Sequence, residues 1–135
     1  MECYRIKLKR NFFAFFFIAI SISSFGQAVI KIEEVRNHIG DSVKIMAKIY
    51  GGKYFEKIKG TPTFLNVGDK YPNAPLTLVI WGDVRKQFKI APEELYNKGH
   101  VKWITGTIVL YKGKPEIVIN SPDQIYEVVA APIGN

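Results

Sequence analysis

Lysines alternate with aromatic rings in two short stretches of the chain, Lys53-Tyr54-Phe55-Glu56-Lys57-Ile58-Lys59 and Tyr111-Lys112-Gly113-Lys114. Ammonium groups neutralise phosphates, and aromatic faces stack on bases for about 1–3 kcal/mol each, so this interleaving suits an extended, phosphate-bearing strand. The competing role for Tyr54 and Phe55 is structural, as apolar rings that plug the mouth of a small β-barrel. Phe64, Asn66 and Trp81 form a third group. If Leu65 and Leu78 point inward, strand alternation sends Phe64 and Trp81 outward with Asn66 and Thr77 between them, a stacking platform that also carries hydrogen-bonding groups. Trp81 has a rival role, packing beneath the helical segment that follows it.

Residues suited to catalysis are scarce. His38 and His100 lie far apart with no HxxxH spacing, and the single cysteine, Cys3, sits near the amino terminus, so no metal-ligand cluster is expected. Glu33-Glu34 and Glu93-Glu94 are adjacent pairs in helical segments, where neighbours point in different directions and do not converge as an acid and a base. Ser42 and Ser121 have no base beside them. Beyond residue 26 the only arginines are Arg36 and Arg85, too few for the phosphate clamp of a nuclease. The sequence predicts no catalytic residue, no metal and no cofactor.

Five strands are predicted to position these groups, at 42–50, 64–67, 76–81, 101–111 and 115–120. In the first, Val43, Ile45, Ala47 and Ile49 alternate with Lys44, Met46, Lys48 and Tyr50, which gives one apolar and one solvated face. The same alternation predicts a core that includes Leu65, Val67, Leu78, Ile80, Ile104, Ile108, Ile117 and Ile119. Gly106, in the middle of the fourth strand, marks a bulge or sharp bend. Lys112-Gly113-Lys114-Pro115 reads as a tight reverse turn, with Pro115 opening the last strand because proline donates nothing to a ladder. The stretch 51–60, bounded by glycines, reads as a loop. Apolar spacing at Ile32, Val35 and Ile39 predicts a short helix ended by Gly40, and 83–98 reads as two helical pieces broken at Pro92. With the helical interruption between the third and fourth strands, this order suggests a small closed barrel.

The amino terminus reads as something other than this domain. Arg5, Lys7, Lys9 and Arg10 precede an apolar run from Phe12 to Ile22, followed by Ser23-Ser24-Phe25-Gly26, the order of a secretory signal peptide. The run falls short of the ~20 residues a spanning helix needs, so cleavage before Gln27 is expected over an uncleaved anchor, with no stable membrane insertion after processing. Residues 1–26 carry four bases and one acid, a net +3 of the whole chain's +7, which leaves +4 on 27–135. That bias permits a nucleic-acid partner without demanding one. With Cys3 removed, the exported domain would hold no disulfide and would depend on its core for stability.

The motifs Gly-Thr-Pro-Thr-Phe-Leu-Asn-Val-Gly (60–68), Tyr-Pro-Asn (71–73), Val-Ile-Trp-Gly (79–82), Thr-Gly-x-Ile-x-x-Tyr-Lys-Gly-Lys-Pro-x-Ile-Val (105–118) and Ser-Pro-Asp-Gln-Ile (121–125) resemble the small OB-fold domains of exported bacterial proteins. These are modules of the nucleic-acid-binding, tRNA-anti-like type, some of them found beside secreted nuclease domains. The resemblance covers roughly residues 37 to 126. It implies a mainly β, five-stranded OB barrel that binds along its second and third strands, flanked by the stretches 51–60 and 112–114. It also implies a site drawn from Lys53, Tyr54, Phe55, Lys57, Lys59, Phe64, Asn66, Trp81, Tyr111, Lys112 and Lys114. The partner expected is single-stranded DNA or RNA, or nucleotides, outside the cytoplasm in the periplasm or the secreted fraction; a protein or glycan partner is the alternative, since OB barrels take those as well, and a small hydrolase or nuclease ranks last. Intact-mass measurement on protein exported by a native-like host should show the loss of the first 26 residues, and a full-length mass in the membrane fraction would refute the signal-peptide reading.

Overall fold

The computed structural model of the protein describes residues 26–96 and 99–129; the predicted signal peptide, apart from Gly26, lies outside the described residues. The molecule is mainly β. Seven strands, β1 (Ala28–Ile30), β2 (Ser42–Tyr54), β3 (Thr63–Val67), β4 (Leu76–Ile80), β5 (Val101–Tyr111), β6 (Lys114–Val118) and β7 (Ile125–Glu127), are joined with two one-turn helices, α1 (Gly82–Arg85) and α2 (Pro92–Leu95). Two 3₁₀ segments, Ile32–His38 and Pro122–Gln124, complete the described elements.

The two long strands set the architecture, because each changes partner along its length, close to a glycine. Residues 42–48 of β2 pair antiparallel with β5, and from Ile49 onward β2 pairs with β3, after a register shift between Ile49 and Gly52. In the same manner β5 pairs with β2 through Thr107 and with β6 from Ile108. β3 pairs with β4 antiparallel, and β4 pairs with β6 parallel. The ladders therefore run β2–β3–β4–β6–β5 and return to β2, while β1 and β7 extend the sheet alongside β2 and β5.

Near each change of partner a glycine is required. A Cβ on Gly52 would lie 1.8 Å from the carbonyl oxygen of Phe64, and one on Gly106 would lie 2.4 Å from Cγ2 of Ile117. Both are far inside contact distance, so only a residue without a side chain lets the strands approach this closely.

All the predicted core residues are buried, with Val43, Ile45, Leu65, Leu78, Ile104, Ile108, Ile117 and Ile119 fully sequestered. Val35 of the first 3₁₀ segment, Tyr96 after α2, and Ile125 close the ends of this core. Burial first, and the nearby charge of Glu127 second, push the Tyr96 phenol up to about 12, which marks it as a packed ring and not a titrating one.

Several expectations need correction. The first predicted strand does not stop at Tyr50: Gly51-Gly52 bends β2 without ending it, so Lys53 and Tyr54 belong to the ladder, opposite Phe64 and Thr63. Of the predicted loop 51–60, only the part from Phe55 onward is a loop. β1 and β7 escaped notice because three residues are too few for alternation to register. The two pieces around Pro92 exist, with Pro92 in the first turn of α2, yet each helix is only four residues long. The short helix before Gly40 is of the 3₁₀ type, and Pro115 stands second in β6 behind Lys114. In the turn itself, Lys112 and Gly113 both have positive φ, at 48° and 78°, the conformation of a two-residue hairpin turn.

The core packing makes a direct expectation for stability. Leu78 is fully buried in the middle of β4, and Leu78→Ala should lower the free energy of unfolding by about 2–5 kcal/mol in a denaturant titration. A loss below about 1 kcal/mol would mean that Leu78 does not face the core.

Candidate functional site

Four of the eleven residues singled out in the sequence meet in one hollow. Lys53, Phe55, Phe64 and Asn66 line a cavity of about 560 Å³, together with Gly52, Tyr71 and Thr77. The ladders explain the convergence. Lys53 lies directly opposite Phe64, and Asn66 opposite Thr77, so β2, β3 and β4 contribute adjacent side chains to one outer face. Phe55 follows β2 immediately and turns its ring to Phe64, edge to face, with centroids 5.4 Å apart and planes at 70°. The Lys53 ammonium stands 5.2 Å from the centroid of Phe55. The hollow thus combines three aromatic rings, one cation, one amide and the hydroxyls of Tyr71 and Thr77.

Tyr71 was missed as a site residue, because Tyr71-Pro72-Asn73 registers only as turn punctuation. It is 78% exposed, and its place over the hollow depends on the path of the β3–β4 connection, which no local pattern gives.

Tyr54 is on the opposite side of β2 from Lys53 and has a structural partner. The guanidinium of Arg85 lies 3.8 Å above its ring, donates to Thr63 Oγ1 at 2.7 Å, and forms a two-pronged ion pair with Glu93. That pair holds the Glu93 carboxyl below the usual carboxylate range, chiefly through the hydrogen bond from Arg85. The network ties α1 and α2 to the end of β2, so at least one face of Tyr54 is already covered.

Trp81 lies against the β2–β3 loop: a Cβ on Gly60 would lie 2.8 Å from its ring, and the residue remains 42% exposed. The Gly82 amide donates to the Gly60 carbonyl at 3.0 Å, which pins the loop to the start of α1. Lys57 and Lys59 are exposed on that same loop, outside the lining of the hollow. Tyr111, Lys112 and Lys114 are exposed at the β5–β6 turn, where the Lys112 ammonium lies 5.4 Å from the Tyr111 centroid and Arg36 donates to the Gly113 carbonyl. They do not line the hollow either.

Glu116 is the unexpected member of this face. It is the parallel-ladder partner of Thr77 and points outward, since Pro115 and Ile117 on either side of it are buried. Its carboxyl is partly desolvated, which pushes it above the usual carboxylate range. Among the described residues no group of three or more histidine, cysteine or acidic side chains is placed to hold a metal. No described helix is long and apolar enough to cross a membrane.

No protein-family model matches the chain, and no curated protein matches it. Among solved structures, it is similar to a crystal structure described as an aspartyl-tRNA synthetase from Leishmania major Friedlin, at 13% identity and a TM-score of 0.42, over 76% of this chain and 21% of that one. At that score the likeness assigns nothing, and the site rests on its own residues.

The raised carboxyl of Glu116 has a consequence for stability. An acid whose folded-state pKa lies above its unfolded value binds its proton more tightly when folded, so the protein loses stability as pH rises through that interval and the deficit is complete above it. Glu116→Gln should therefore raise the unfolding midpoint at neutral pH, and the gain should vanish below the ordinary carboxylate range. An unchanged or lowered midpoint at neutral pH would mean that the carboxylate is stabilised by a partner.

Proposed function

We propose that the chain is a non-catalytic OB-fold module, exported after loss of residues 1–26, that binds single-stranded nucleic acid in the hollow on β3 and β4. The order of ladder pairings, with one parallel contact between β4 and β6, supports the OB topology. The observation that carries the ligand assignment is the meeting of Phe55, Phe64 and Tyr71 with Lys53 around one cavity. Its volume lies within the ~300–1,000 Å³ usual for small-ligand sites. Bases stack on the rings, Asn66 and Thr77 offer hydrogen bonds to base edges, and Lys53 meets the backbone, with Lys57, Lys59, Lys112 and Lys114 forming an exposed basic surround.

A second reading, an oligosaccharide or protein partner on the same face, draws support from Glu116. A carboxylate there repels phosphate yet accepts hydrogen bonds from sugar hydroxyls or peptide amides. A hydrolase is disfavoured by the scarcity of converging acids.

Salt dependence separates these partners. For a nucleic-acid ligand, Lys53→Ala and Lys57→Ala should each flatten the plot of log affinity against log salt, by roughly 0.7 for every phosphate of a single strand that is no longer neutralised. Phe64→Ala should weaken binding by about 1–3 kcal/mol and leave the slope nearly unchanged. If the purified domain shows no salt-sensitive affinity for any single strand at low ionic strength, the second reading replaces the first.

A further inference from the structure

Glu116 stands on a face otherwise built from aromatic, amide, hydroxyl and cationic groups, and nothing in its surroundings stabilises its charge. Among the described residues no donor hydrogen-bonds to its carboxylate and no cation forms an ion pair with it; burial is the one influence on its protonation. Lys114, two residues earlier on the same side of β6, stays beyond ion-pair distance. A partly desolvated carboxylate that no described group of the chain engages is left open to accept hydrogen bonds from a ligand on this face. The group it suits is a hydrogen-bond donor and not a phosphate.

We propose that Glu116 reads guanine, its two carboxylate oxygens accepting from the N1–H and the N2 amino group of a base laid over Thr77; this rests on the nucleic-acid reading of the hollow. The placement follows from the ladder, since Thr77 lines the hollow and Glu116 is the next residue across the face. Adjacent strands are ~4.8 Å apart, so a base covering Thr77 turns its edge to Glu116. Chemistry then selects the base. Guanine alone presents two neighbouring N–H donors on its pairing edge, matched to the two oxygens of a carboxylate. Adenine and cytosine place a ring acceptor beside their amino group, which repels the second oxygen. Thymine and uracil flank their single N–H with two carbonyls.

The test compares three short single strands in the same buffer: an oligodeoxythymidylate, the same strand with one central guanine, and the same strand with hypoxanthine in that position, which lacks the amino group. The wild-type protein should bind the guanine strand about tenfold more tightly than the thymine strand, and hypoxanthine should forfeit most of that preference. Glu116→Gln and Glu116→Ala, each checked for a retained cooperative unfolding transition, should bring the guanine and thymine strands to the same affinity. Binding of all three strands without preference, or a preference that survives both substitutions, overturns the guanine assignment and leaves the nucleic-acid reading standing. Failure to bind these strands and their RNA counterparts overturns that reading, and the guanine assignment with it.

Discussion

The structure depends on two places where a strand is packed too closely for a side chain of its own. At Gly52, β2 passes against the carbonyl of Phe64; at Gly106, β5 passes against Ile117. Each glycine lies within a few residues of the point where its long strand passes from one partner to the next. Without both bends the ladders would not return to β2, and the isoleucines and leucines of five strands would not share one enclosed interior. Close approach at these two glycines thus comes first, and hydrophobic burial follows from it.

The same bends decide what the outside of the sheet can do. Because β2 continues beyond Gly52, Lys53 is held in register with Phe64 and is not swinging on a loop. Phe55, the first residue past the strand, is fixed by its amide's hydrogen bond to the Pro62 carbonyl and by its contact with Phe64. The loop beyond is pinned by Gly60 and Gly82, and the Arg85–Glu93 pair clamps the helical pieces to Tyr54 and Thr63. A rigid setting of this kind lowers the ordering cost of binding.

Charge is divided across the face in a way that bears on how a ligand would lie. Lysines occupy the β2 end and the exposed turns, while Glu116 occupies the β6 side, next to Thr77. A strand bound there would run its phosphates past the lysines and turn its bases toward the carboxylate. The oligosaccharide alternative uses the same carboxylate for hydroxyl groups, so the two readings differ mainly in their need for the lysines.

Alternation along 42–50, 64–67, 76–81 and 115–120 was enough to identify the core, because a strand with one buried face writes its burial into every second residue. Glycine and proline likewise marked the bend at Gly106 and the first turn of α2, since both act through the local backbone. The double glycine at 51–52 misled for the same reason: locally it resembles a terminator, and only the approach to Phe64 makes it a bend within a strand. Phe64 and Asn66 could be placed on an outer face from period alone, whereas the company they keep could not. Tyr71, Thr77 and Glu116 come from separate strands and a connecting loop, and which of them meet depends on ladder register and on the parallel pairing of β4 with β6. Those pairings are made between residues distant in sequence, so they leave no local pattern to read.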